Sequence, residues 1–136
     1  MATTMKTTET DQVVDRFLAA IEAGGMPAAD VFAADAVLDA TVPNWRFALS
    51  GGETVRGELA RWYAESGVVE DLSRTPLPGG ALVTFTLRWE EGGVPHAAHQ
   101  AHVLRIDDGR IQRDQVWCGG RWPAALLAEM AGAAGG

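Results

Sequence analysis

All three histidines of the chain fall in one short stretch, at His96, His99 and His102. The residues around them alternate between apolar and polar, which predicts a strand over about residues 95–106. Side chains alternate between the two faces of a strand, so His102 shares a face with Gln100 while His99 lies on the other. An imidazole can exchange a proton near neutral pH, which makes His102 a candidate catalytic residue.

A carboxylate follows on the next predicted strand. Asp107-Asp108-Gly109 separates two alternating runs, and Asp-Gly is a strong hairpin signal, so residues 110–118 should form the return strand. The alternation of both strands then places Asp114 beside His102. We predict His102 as a general acid or base, Asp114 as the carboxylate that orients it, and Gln100 as a donor to a developing oxyanion.

The histidine spacing resembles a metal motif, but the predicted strand argues against one. His99 would point away from the other two. A rise of about 3.3 Å per residue puts His96 roughly 20 Å from His102, too far for both to bind one ion. We therefore predict no metal site. Cys118 shares the face of Asp114 and has no sequence signature of a nucleophile, so we expect it to line the pocket as a small apolar residue.

Asp39 is a second candidate base. It lies in a predicted strand over residues 35–42, where it shares a face with Val37 and Thr41. The alternation does not determine which face of this strand points inward.

The remaining elements follow from apolar periodicity and from glycine and proline breaks. They predict an α+β fold, in which N-terminal helices pack on one face of a curved, mostly antiparallel sheet that forms a conical barrel. One domain should span residues 1–136, with loose ends over about 1–9 and 131–136. The predicted helices cover about 10–23, 28–32, 55–67 and 123–130, and the further strands cover about 45–49, 68–74 and 83–89.

Composition excludes several classes of partner. The net charge is −7 and Lys and Arg do not cluster, so neither nucleic acid nor an anionic membrane is expected to bind. No apolar run approaches the roughly 18 residues of a membrane span. The polar N-terminus does not resemble a signal peptide, and a single cysteine suits a reducing compartment, so we predict a cytoplasmic protein.

Four passages together run across most of residues 13–118: DRFLAAIEAGG, FAADAVLDATVP, GGETVRGELARWYAE and AHVLRIDDGRIQRDQVW. They resemble the nuclear transport factor two superfamily, in particular its ketosteroid-isomerase-like and SnoaL-like branch. The resemblance implies a conical α+β barrel with an internal pocket, frequent dimers and no obligatory cofactor.

The resemblance also assigns positions. Phe17 falls where ketosteroid isomerases have an oxyanion-hole tyrosine, and their general base falls near Ala40, with Asp39 beside it. His102 falls where they have a protonated aspartate. SnoaL-type cyclases use an aspartate and a histidine. The pair of Asp114 and His102 resembles that arrangement more than it resembles the ketosteroid isomerase site. The Asp-Arg-Asp set of limonene-epoxide hydrolases has no match.

The pocket walls and the dimer face complete the expectations. The resemblance implies a pocket rim just past the Pro43 break, where Asn44, Trp45 and Arg46 lie. An apolar small-molecule substrate is expected, since the predicted walls are Phe17, Phe85, Leu87 and Trp89. The outer strand face, with Val103, Ile111 and Trp117, should form a homodimer contact.

Two functions remain open on the sequence. One is a cofactor-free enzyme that transfers protons on a carbonyl-bearing substrate, as an isomerase, cyclase or dehydratase. The alternative is a non-catalytic module of the same fold that binds a small ligand or dimerises.

Overall fold

A computed structural model describes residues 2–27 and 29–135. These residues form three helices, a 3-10 turn and seven strands. Their bounds are α1 Ala2–Ala23, a 3-10 turn at Ala29–Val31, β1 Phe32–Val42, β2 Trp45–Ser50, α2 Gly52–Trp62, β3 Gly67–Leu77, β4 Gly80–Glu91, β5 Val94–Asp107, β6 Arg110–Cys118, β7 Trp122–Pro123 and α3 Ala124–Gly135.

The strands form one curved sheet in the order β2-β1-β6-β5-β4-β3, and the short β7 also pairs with β5. All neighbours are antiparallel except β1 and β6, which are parallel. The predicted α+β class and mostly antiparallel sheet are confirmed. In the described part of the chain the sheet stays open, with β2 and β3 at its edges, so the cone is not a closed barrel.

α1 and α2 cover the inner face of this sheet. α1 buries Val13, Val14, Phe17 and Ile21 in the core, at the spacing of one helical face. Its outer side is held to β3 by Arg74, which contacts Asp11 and Asp15. α2 packs on β1.

The central hairpin matches its prediction, with β4, β5 and β6 as consecutive antiparallel strands over residues 80–118. Asp108 has φ 53° and Gly109 has φ 71°, the left-handed pair that two-residue hairpin turns require. The predicted position of Ile111 on the outer face was wrong. Ile111 is fully buried in the core, because the pairing shifts so that Gln112 is an extra residue opposite Arg105 and Ile106. This bulge returns Ile111 to the inner face.

Several predicted bounds differ from the structure. Residues 2–9 and 131–135, expected to be loose, belong to α1 and α3. The expected helix over 28–32 is a 3-10 turn at Ala29–Val31, with residue 28 outside the described residues. Strand pairing also extends β3 and β4 past the proline and glycine signals. Pro76 is compatible with β3 because an edge strand has one unpaired side. Among the described residues, no helix is long and apolar enough to cross a membrane.

Candidate functional site

A cavity of about 360 Å³ lies between the end of α2 and strands β4, β5 and β6, within the size range of small-molecule sites. A wider cleft of about 520 Å³ beside α1 contains none of the predicted site residues. The lining of the cavity falls into three groups. The walls are Val42, Pro43, Trp62, Leu87, Trp89 and Ala98, the polar floor is Tyr63, Gln100 and Cys118, and the rim is Arg61, Gly120 and Arg121.

The structure brings His102 and Asp114 together. His102 pairs with Val116 across the hairpin, and Asp114 pairs with Leu104, so the two are diagonal neighbours on the inner face. Nδ1 of the imidazole lies 2.7 Å from Oδ1 of Asp114, and both side chains are 0% exposed. The strand alternation therefore identified a real hydrogen-bonded pair.

His102 nevertheless does not line the cavity. The ring of Phe85 stacks on the imidazole with centroids 5.5 Å apart, and Phe17 packs edge-on at 5.2 Å. Both phenylalanines were predicted as pocket walls, but they enclose the imidazole below the cavity floor instead. His102 can reach a ligand only through the side chains above it.

Tyr63 and Gln100 are those side chains. The Tyr63 hydroxyl donates to Gln100 Oε1 over 2.5 Å and lies 3.4 Å from His102 Nε2. His102 Nε2 lies 3.0 Å from the same amide oxygen. A continuous hydrogen-bonded cluster therefore runs from Asp114 to the floor of the cavity.

The end of α2 fixes the position of Tyr63. Tyr63 is the residue that terminates the helix, and its backbone N–H still donates to the Leu59 carbonyl. Its own carbonyl accepts from Gly25 N over 2.6 Å. Gly25 has φ 77°, a conformation that glycine adopts without the steric cost of a side chain. The helix end and the turn after α1 together aim the phenol at Gln100.

The cluster allows two proton arrangements. With its amide oxygen toward His102, Gln100 accepts from both the Tyr63 hydroxyl and Nε2–H, and one further proton lies between Nδ1 and Asp114. With the amide turned over, the amide nitrogen donates to Nε2 and the ring is neutral. Asp114 Oδ2 has no hydrogen-bond partner among the described residues. The two arrangements differ by one proton, which is what an acid–base device needs.

Tyr63 is a proton donor rather than an ionised base. Burial raises the pKa of Tyr63 well above its usual value of 10.0, and the nearby Asp114 and Cys118 raise it further, against the opposing hydrogen bond to Gln100. The phenol is therefore neutral at physiological pH. The sequence does not single out Tyr63, because it lies on the apolar stripe of the predicted helix, where a core position is more common than a site position.

Asp39 lies outside this site. Parallel pairing places Leu38 opposite Asp114, so Asp39 is on the outer face. There Arg46 Nε and Nη2 bind its two oxygens at 3.0 and 2.8 Å, and Arg113 Nη2 lies at 3.1 Å. The hydrogen bond from Arg46 lowers the pKa of Asp39 below its usual 3.8, with Arg113 contributing less and desolvation opposing both. Asp39 is therefore a structural ion-pair residue and not a base in the cavity.

The other predicted residues divide in two. Leu87, Trp89, Gln100 and Cys118 line the cavity as expected. Asn44 and Trp45 do not, because the β1–β2 turn points them away, and Trp45 is 66% exposed. The neighbouring Val42 and Pro43 take the place expected for them.

The histidines do not gather around an ion. His99 faces the outer side, where its Nδ1 lies 2.9 Å from Thr86 Oγ1, and His96 stacks on Trp89. Within residues 2–27 and 29–135, no group of His, Cys, Asp and Glu side chains has the geometry to hold a metal.

No family model and no curated protein matches the chain, but many solved structures do. A nuclear transport factor two-like protein of unknown function from Mesorhizobium loti shares 18% identity at a TM-score of 0.63, over 83% of this chain and 93% of that one. An epoxide hydrolase of Mycobacterium tuberculosis, described as LEH-like, shares 20% at 0.65, over 82% and 83%. A putative polyketide cyclase from Pseudomonas putida shares 19% at 0.62, over 89% and 96%. The chain therefore has the nuclear transport factor two-like fold.

Proposed function

We propose that this chain is a small-molecule enzyme that transfers protons on an apolar, carbonyl-bearing substrate without a cofactor, in the manner of an isomerase, cyclase or dehydratase. One observation carries the proposal. The buried His102–Asp114 pair is hydrogen-bonded to Tyr63 and Gln100 at the floor of an apolar cavity.

Tyr63 is the group that exchanges a proton with the substrate. In the acid direction its hydroxyl donates to a substrate oxygen, while His102 Nε2–H returns a proton to the phenol oxygen across the 3.4 Å contact. In the base direction the phenol oxygen takes a proton from the substrate and passes its own to Nε2. Asp114 stabilises the imidazolium, and the phenol never carries a full negative charge.

Gln100 positions the substrate oxygen. Its amide nitrogen lies 3.5 Å from Cys118 Sγ, which is a weak partner. A substrate carbonyl that displaced this contact would accept a stronger hydrogen bond. Charge that develops on that oxygen would then meet a donor already fixed in place.

The fold adds support of a coarser kind. Two solved structures of the same fold carry enzyme names, an epoxide hydrolase and a putative polyketide cyclase. This fold therefore hosts catalysis on small molecules, but the reaction of this chain is argued from its own cluster.

The test uses 2-tetralone, an apolar ketone whose acidic C–H protons exchange with solvent deuterium and can be followed by NMR. The protein should accelerate this exchange, and Tyr63→Phe should slow it by about 100-fold or more, since it removes the hydroxyl that exchanges the proton and leaves the ring. Trp45→Phe, at an exposed turn away from the cavity, is the matched aromatic control. Equal exchange rates in Tyr63→Phe and the unmodified protein would refute the role of Tyr63.

The alternative is a ligand-binding module that does not catalyse. It is favoured by the complete burial of His102 and by the absence of any carboxylate or imidazole among the described side chains that line the cavity. Binding of 2-tetralone to the unmodified protein with exchange no faster than in buffer would select this function.

A further inference from the structure

The charged side chains of the cavity are of one sign. Among the described residues that line it, the only formally charged ones are Arg61 and Arg121, in a chain whose net charge is −7. A smaller cavity of about 250 Å³ adjoins the first and is lined by the same two arginines together with Glu65 and Glu91. The arginines therefore flank one opening, from the end of α2 and from the segment after β6.

Each arginine is held by a glutamate that also binds a tryptophan. Glu58 pairs with Arg61 and accepts from Trp62 Nε1 over 3.0 Å. On the other side, Glu91 pairs with Arg121 and accepts from Trp89 Nε1 over 2.8 Å.

These carboxylates orient the arginines without occupying all their donors. A guanidinium has five N–H donors, and the side chains of Arg61 and Arg121 are 77% and 57% exposed. Arg121 also lies over Trp89, 5.3 Å from the ring centroid, where the indole favours a cation. Donors that remain at the opening can bind an anion.

We infer that the substrate is an organic acid, with an apolar body that carries a carbonyl at one end and a carboxylate at the other. This inference rests on the proposed function, which places the carbonyl at Tyr63. The carboxylate then lies at the opening, where a guanidinium can bind both its oxygens. The apolar body lies between Trp62 and Trp89.

The charges also argue against the other classes of ligand. An amine would find no carboxylate in the main cavity, because Glu65 and Glu91 line only the smaller one and Glu91 is already paired with Arg121. A wholly apolar ligand would cover arginine donors without replacing their hydrogen bonds to water, which is unfavourable. An organic acid with an apolar body packs against the apolar walls and pairs its carboxylate with the arginines at the rim. Its carbonyl end then enters the cavity first.

The experiment compares 2-naphthoate with methyl 2-naphthoate, which has the same ring system without the charge. At low ionic strength the unmodified protein should bind the acid at least about tenfold more tightly, the effect of roughly one charge-assisted hydrogen bond. The Arg61→Gln/Arg121→Gln double variant should lose this preference and bind the ester within about twofold of the unmodified protein. Added salt should reduce the preference.

Arg110→Gln is the control for net charge. Arg110 begins β6, whereas the cavity lies at Cys118, where that strand ends. The double variant changes two charges and this control one, so each single variant is compared with it directly. The control should retain the preference for the acid, while Arg61→Gln and Arg121→Gln should each reduce it.

The inference is overturned if the ester binds as tightly as the acid or if 2-naphthylmethylammonium binds most tightly. It is also overturned if neither 2-naphthoate nor its methyl ester binds. An ester that binds as tightly as the acid, to a protein in which 2-tetralone exchange still depends on Tyr63, would overturn the substrate class and leave the proposed function standing. If the protein prefers the acid but Tyr63→Phe has no effect on 2-tetralone exchange, the substrate class stands and the proposed function is overturned.

Discussion

Tyr63 is the only tyrosine of the chain, so its ionisation can be followed without interference from another phenol. Because burial raises its pKa well above 10.0, the near-ultraviolet tyrosinate band of the folded protein should appear only at a pH clearly above 10. In denaturant the band should appear at about 10. Coincident titrations in the two states would show that the phenol is solvated and not part of a buried cluster.

The same shift gives stability a pH dependence with a definite sign. Between the unfolded and the folded pKa, the unfolded phenol has lost its proton and the folded one has kept it. The unfolded state then binds fewer protons, so stability is complete below about pH 10 and falls above it by about 1.4 kcal/mol per pH unit. Tyr63→Phe should remove this part of the slope in denaturant unfolding at alkaline pH.

Asp114→Asn tests the carboxylate behind the imidazole. Asparagine keeps the shape and an acceptor oxygen for Nδ1–H, but it does not stabilise an imidazolium. We expect 2-tetralone exchange to fall by about 100-fold, the lower range of acid–base contributions, while 2-tetralone binding stays within about twofold. Asp108→Asn, in the exposed hairpin turn where asparagine tolerates positive φ, should change neither. Full activity in Asp114→Asn would leave the pair a purely structural role.

At the scale of elements, we expect the replacement of two glycines by alanine to change stability in opposite directions. A Cβ on Gly80 would lie 1.8 Å from the Leu104 carbonyl oxygen, so Gly80→Ala must push β4 from β5 and should cost about 2 kcal/mol or more. Gly57 lies within α2 with nothing near its Cβ position, so Gly57→Ala should stabilise by about 1 kcal/mol. Urea unfolding measures both. A neutral Gly80→Ala would mean that the two strands are not so close.

The Asp39 ion pairs join β1, β2 and β6 on the outer face. A lowered pKa gives stability that is present above the unfolded value and lost as pH falls through the folded one. Arg46→Gln should therefore move acid unfolding to higher pH. Arg113→Gln should move it less, because Arg46 has the larger effect on Asp39. Circular dichroism against pH would rank the two, and the opposite order would contradict the assignment.

The sequence predicted whatever depends on local alternation. The Asp-Gly turn and the two alternating runs placed His102 beside Asp114 and Gln100. The position of Tyr63 at the cavity could not be predicted, because it depends on where the end of α2 meets the sheet, which no local pattern encodes. The face on which Asp39 lies could not be predicted, because the parallel partner β6 determines which face of β1 points inward. The face of Ile111 was predicted wrongly, because a single extra residue reverses the alternation.

At the scale of the molecule, the outer sheet face remains our proposed site of homodimerisation. Trp117 is 42% exposed on this face, and a cleft of about 470 Å³ beside it includes Thr41 and His99. Trp117→Asp should convert a dimer into a monomer in light scattering at micromolar concentration. Leu77→Asp, at the exposed end of β3, should not. A monomeric unmodified protein would refute the proposal.

The parallel contact between β1 and β6 has a consequence in time. Leu38 of β1 pairs with Asp114 of β6. The hydrogen bonds between these two strands therefore cannot form until most of the chain between them has folded. Such distant pairings make folding slow, on the order of milliseconds to seconds. During synthesis β1 and its hairpin partner β2 emerge long before β6. The edge of β1 that pairs with β6 is unpaired until then, and an unpaired strand edge is prone to aggregate. The nascent chain is therefore at greatest risk before residues 110–118 have been made.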